Sequence, residues 1–121
     1  MAINALSYIG VNSDKLDDWY NFAVKHLGMQ KIDNSSKSLS FKMDNQKQRF
    51  SISGEPGDAL AFLGWEVEKK SDLQIYANRL DKINILVKEG NKNLTDKRFV
   101  NELIYFDDPA GNRIELVYKP H

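Results

Sequence analysis

The sequence predicts an α+β fold built as two βαβββ modules, approximately residues 1–54 and 58–120, in one domain with a curved mixed sheet and helices on its outer face. Three observations predict it. β-rich runs and amphipathic helical runs follow the same order twice. The turn-forming stretch Gly54-Glu55-Pro56-Gly57 falls between the two rounds. The two halves also overlay residue on residue.

The segment from Ile3 to Asn12 is rich in β-formers and reads as a strand. Ser13-Asp14 then reads as a helix N-cap with acid in the first turn. From Asp14, Leu16, Trp19, Ala23 and Leu27 recur at helical spacing, and Gly28 stands where a left-handed residue ends a helix. Three short strands follow, Met29 to Asp33, Ser38 to Met43 and Arg49 to Ser53, separated by the polar turns NSSK and DNQKQ. They form a meander.

The second round opens with a strand from Ala59 to Glu68. Ser71-Asp72 repeats the cap signal, and Leu73, Tyr76, Ala77 and Leu80 mark the apolar face of a second helix. A strand is expected around Ile83 to Val87, and KEGNKNLTDKRF as a loop with room for one helical turn. Asn101 to Asp107 and Asn112 to Lys119 should then form a hairpin across Asp108-Pro109-Ala110-Gly111.

The overlay makes the duplication concrete. Leu6 to Val11 falls on Leu60 to Trp65, and Phe41, Asp44, Arg49 and Ile52 fall on Tyr105, Asp108, Arg113 and Leu116 at a second, larger offset. The difference between the offsets belongs to the longer loop after the second helix.

Composition narrows the function classes. With 121 residues and 41% apolar content the chain is long enough for a real core, burying roughly two thirds of its unfolded surface. Seventeen basic residues balance seventeen acidic ones without a basic cluster, which argues against a dedicated nucleic-acid or anionic-membrane binder. Cysteine is absent, which excludes disulfides, thiolate metal sites and cysteine nucleophiles together. The start MAINALSYIGV lacks the charged and long apolar regions of a signal peptide, and the expected location is cytoplasmic. Only His26 and His121 are present, and His121, the last residue, could be native or come from a tag.

LSYIGVNSDKLDDWYNFAVKHLGM and ELIYFDDPAGNRIELVYKP resemble the opening strand–helix–LG turn and the closing hairpin of the vicinal oxygen chelate superfamily, which holds glyoxalase I, bleomycin-resistance proteins and type I extradiol dioxygenases. DALAFLGWEVEKKSDL and LIYFDDPAGNRIELVY are similar, more narrowly, to the N-terminal domain of 2,3-dihydroxybiphenyl or catechol-type extradiol dioxygenases. In those enzymes the resemblance implies a second, C-terminal domain that holds Fe(II). This chain would be the first half only.

The resemblance implies a two-histidine, one-carboxylate metal set, which carried over falls at Tyr8, Phe62 and Glu115. Only Glu115 matches. Phe62 offers no donor and a neutral Tyr8 phenol is a poor one, so no metal or other cofactor is expected for this chain, with Fe(II) reserved to the full-length family enzyme. His26, late in the first helix, reads as a surface residue favoured by the helix dipole.

Period-two alternation indicates what fills the would-be site. Ile114, Leu116 and Tyr118 should face the helices, leaving Arg113, Glu115 and Val117 on the concave face with Tyr8, Arg49, Ser51, Leu60, Phe62, Leu103 and Tyr105. Tyr8, Arg49, Ser51, Phe62, Tyr105, Arg113 and Glu115 are therefore the candidate ligand-binding cup, suited to a planar aromatic with an arginine pairing its carboxylate or phenolate. The bland alternative is a cup filled by its own side chains, with Glu115 paired to an arginine. Asp107-Asp108 with Gly111 and Asn112 lacks calcium-loop spacing and reads as a turn.

Two functional readings result. In the first, the chain is the non-metal domain of an extradiol dioxygenase, without catalysis of its own, a scaffold or binding domain whose partner is a C-terminal catalytic domain. In the second, it is a bleomycin-resistance-type homodimer that binds an aromatic small molecule. A two-chain metalloenzyme is a third, opposed by the shortage of histidine. Whether the chain is itself an enzyme stays open; no catalytic residue is assigned.

Overall fold

The computed structural model describes residues 3–34, 37–44, 48–57 and 59–121. The expected NSSK and DNQKQ turns lie partly outside them. Two compact units divide the chain, residues 8–61 and residues 1–7 with 62–121. Each carries a mixed four-stranded arrangement with helices against it, so the α+β class and the repeated order hold.

In the unit of residues 8–61 the strands run in the order β2-β3-β4-β1, from β1 (Ile3–Asn12), β2 (Gln30–Asn34), β3 (Ser38–Lys42) and β4 (Phe50–Ser53). β2, β3 and β4 form the antiparallel meander, and Ile9 to Asn12 of β1 pair with β4 in parallel. The helix face buries Ala23 against Leu39, Phe41 and Ile52, with Trp19 edge-on to Phe50 at 5.4 Å. Such aromatic pairs add about 1 kcal/mol to their area burial.

Two expectations about this helix need correction. It begins at Leu16 and not at Asp14, because the Ser13 hydroxyl accepts the Lys15 N–H at 3.2 Å and stabilises a turn ahead of the helix. The α-helical part, α1 (Leu16–Asn21), also widens into a π-turn at Phe22–His26, where the Leu27 N–H donates to the Phe22 carbonyl at 3.1 Å. That wider turn rotates Leu27 off the apolar stripe, leaving it 52% exposed, while Tyr20 and Val24 pack inward instead. Gly28 does close the element at φ 71°.

In the second unit the order is β5-β8-β7-β6, from β5 (Ala59–Val67), β6 (Lys88–Glu89), β7 (Val100–Asp107) and β8 (Arg113–Pro120). β5 runs parallel to β8, and β8-β7 and β7-β6 are antiparallel. Helix α2 (Lys70–Lys82) lays Leu73, Tyr76 and Ala77 on a core of Val67, Ile104 and Leu116. Its cap is not the expected Ser71: Lys69 is the N-cap and the helix starts two residues earlier, with Asp72 accepting the Lys69 N–H at 3.0 Å.

The strand expected over Ile83 to Val87 is absent. Helix α2 runs on to Lys82 and is closed by Asn84 at φ 63°, with the Ile85 N–H donating to the Leu80 carbonyl at 3.0 Å. Ile83 and Leu86 are consequently exposed, and pairing starts only at Lys88, opposite Tyr105. Much of the expected loop is instead α3 (Lys92–Arg98), capped by the Asn91 side chain, whose Oδ1 accepts the Leu94 N–H at 2.9 Å. Phe99, left-handed at φ 57°, ends α3 and turns the chain into β7. No helix among the described residues is long and apolar enough to cross a membrane.

Candidate functional site

Strand alternation in β8 places Ile114, Leu116 and Tyr118 with the α2 core and turns Arg113, Glu115 and Val117 to the opposite face. Register sets Tyr105 beside Glu115 and Leu103 beside Val117. On the other side the partner of Glu115 is Gly64, which contributes no side chain to that face. The carboxylate is fully buried.

Two cations and two rings organise around it. Arg98, from the last turn of α3, donates through Nε to Glu115 Oε1 at 2.9 Å and through NH2 to Oε2 at 3.1 Å. Arg113 donates through Nε to Oε2 at 2.9 Å. The Arg98 guanidinium lies 3.7 Å from the Phe62 ring centroid, and that of Arg113 lies 3.9 Å from the Tyr105 centroid. Each stack is worth about 1–2 kcal/mol, the desolvated Arg98 pair at the upper end. The buried charge is thus satisfied in the way a buried carboxylate requires.

Arg98 is the residue that sequence reading missed. Alternation assigns faces only to strand residues, and the sequence predicts a loop for most of the segment carrying Arg98. The signal was present as Asn91 ahead of a run ending in Lys97 and Arg98, a cap followed by basic residues in a last turn.

The other cup residues, Tyr8, Arg49 and Ser51, belong to the unit of residues 8–61. Tyr8 is buried, and Ser51 pairs with Gly10 and Ser40 in the sheet. Arg49 holds Asp44 through Nε and NH2 at 2.8–3.1 Å. The two overlaid arginines therefore differ in use: Arg113 has a glutamate two residues on, whereas the corresponding position after Arg49 is Ser51, and Arg49 turns to Asp44. Asp108, the counterpart of Asp44, serves the hairpin turn instead. It accepts the Asn112 N–H at 2.8 Å and the Ala110 N–H at 2.9 Å, which hold its carboxyl below the ordinary range.

Phe62 and Glu115 do not fit a metal ion. Phe62 has no lone pair to give, its face is covered by a guanidinium, and a divalent cation on Glu115 would have to displace one positive group and sit beside another. Among the described residues no group of three or more His, Asp or Glu side chains comes together as a metal site. His26 is exposed on the π-turn, as expected.

A cleft of about 790 Å³ lies between α2 and β6–β7. It mixes Lys70, Asp81, Glu89 and Glu102, has no aromatic ring and contains none of the cup residues. A smaller one of about 400 Å³ is lined by Tyr105 and Arg113 together with Lys88 and Asp107.

A βαβ(α)ββ unit following a βαβββ unit is consistent with the vicinal oxygen chelate fold. The chain resembles the N-terminal domain of the extradiol dioxygenases. Residues 6–57 match the family described as Dihydroxybiphenyl dioxygenase BphC D1. The chain is 35% identical over 98% of its length to a 3-methylcatechol 2,3-dioxygenase of Pseudomonas putida, and 30% identical over 98% to a biphenyl-2,3-diol 1,2-dioxygenase of Paraburkholderia xenovorans. It spans about 40% of the length of these relatives. A crystal structure of catechol 2,3-dioxygenase superposes on the whole chain and on 43% of its own, with a TM-score of 0.93 at 28% identity.

Proposed function

We propose that the chain is the scaffold domain of an extradiol ring-cleavage system acting on aromatic compounds, without catalysis of its own, and that Fe(II) chemistry belongs to a partner catalytic domain. One observation carries this reading: the carboxylate at the family's ligand position, Glu115, is buried under two guanidiniums, one of which also covers Phe62. The reading takes the chain as one domain of two modules, residues 1–54 and 58–120, working in the cytoplasm against a C-terminal domain or a second copy. The stand-alone binding dimer has no observation in its favour.

Of the seven cup residues, we assign ligand contact to Tyr105 and Arg113, because Phe62 and Glu115 are committed to Arg98 and Arg49 to Asp44. Iron content after anaerobic incubation with Fe(II), measured on the same sample as catechol cleavage, tests the scaffold reading. Neither stoichiometric iron nor turnover is expected. Stoichiometric iron together with ring cleavage would overturn it.

A further inference from the structure

We propose that the cleft of about 400 Å³ beside Arg113 is a binding site for a small aromatic carboxylate. Glu115 already receives two hydrogen bonds from Arg98, so its single negative charge is shared between two guanidiniums. One positive charge is left over. It resides on the more accessible partner, Arg113, whose side chain is 33% exposed against 8% for Arg98.

The geometry of Arg113 turns that charge toward the cleft. Only its Nε is engaged, and its two terminal nitrogens make no hydrogen bond among the described residues. Stacking on Tyr105 at 3.9 Å fixes the guanidinium plane, so a carboxylate meets a pre-oriented fork without ordering a flexible chain. Lys88, the sheet partner of Tyr105, adds a second cation on the rim. Asp107 opposes it, and the three together leave the cleft with one net positive charge, matched to a monoanion.

Size and walls set the rest of the ligand. Tyr105, Phe106, Ile85 and Leu86 line it with two aromatic and two aliphatic side chains, suited to a single flat ring. The volume lies near the lower end for small-molecule sites. This site goes beyond the scaffold reading and does not depend on it, because no metal and no partner domain takes part.

Titration of the full chain with benzoate, followed by amide chemical shifts, tests the site. Shifts should concentrate at residues 85–88, 105 and 113. Benzamide, the neutral isostere, should bind about tenfold more weakly, since it forfeits the charged fork. Arg113→Lys keeps a cation for Glu115 but loses the fork, and should weaken benzoate about fivefold or more. Lys88→Gln, at an exposed position, should cost about twofold and serves as a second variant if Arg113→Lys fails to fold. Equal binding of benzamide and benzoate, or shifts centred elsewhere, would overturn the proposal.

Discussion

Arg98 and Glu115 are joined by two hydrogen bonds, of 2.9 and 3.1 Å, across 17 residues of chain. The bond ties the end of α3 to the middle of β8, with the β7–β8 hairpin turn between. Both groups are buried, so neither can recover by hydration if the other is removed.

Glu115→Leu should destabilise the protein by about 3–5 kcal/mol, because it strands the buried Arg98, and Arg98→Met should cost less, because Arg113 still pairs with Glu115. The double variant removes both charges and should lose clearly less than the sum. Urea denaturation of the three variants checks this. Strictly additive losses would show that the pair is not coupled.

Asn91→Ala should cost about 1 kcal/mol, the loss of the bond from Leu94 N–H to the N-cap oxygen. Because α3 delivers Arg98 to Glu115, the loss should shrink when Arg98→Met is already present. The same denaturation series reads both effects.

Gly54→Ala introduces a Cβ that would lie 2.8 Å from the backbone carbonyl oxygen of Lys37. No side-chain rotation can relieve contact with backbone, and the end of β4 must move. The expected cost is about 1–3 kcal/mol, read from thermal or urea unfolding.

The Asp108 carboxyl titrates below its ordinary value in the folded chain, chiefly through the Asn112 N–H bond. A lowered folded pKa contributes stability above the unfolded value, and that contribution disappears as pH falls through the folded one. Asp108→Asn should therefore lower stability at neutral pH and flatten its decline below about pH 4. Denaturation midpoints taken from neutral to acid pH would show whether the two curves converge.

Element order and the faces of β7 and β8 were legible in the sequence because alternation and overlay report on residues inside regular strands. Glu115, Tyr105 and Arg113 fell on the expected face for that reason. What escaped was set by helix ends and helix geometry. The π-turn that exposes Leu27 leaves no mark in a 3.6-residue pattern. Asn84 closes α2 in a left-handed conformation that turned an apolar run, Ile83 to Val87, away from strand pairing. Arg98 escaped because its position depends on α3, seven residues in which Leu94 is the one apolar side chain, too few to show a helical periodicity.

The two arginines on Glu115 also balance its charge in a way a metal could not. A guanidinium cannot be chelated away, exchanged for a competing ion or oxidised. It stays protonated throughout the physiological range. The charge that balances Glu115 is therefore supplied at translation, and growth conditions that starve a cell of metal leave it untouched.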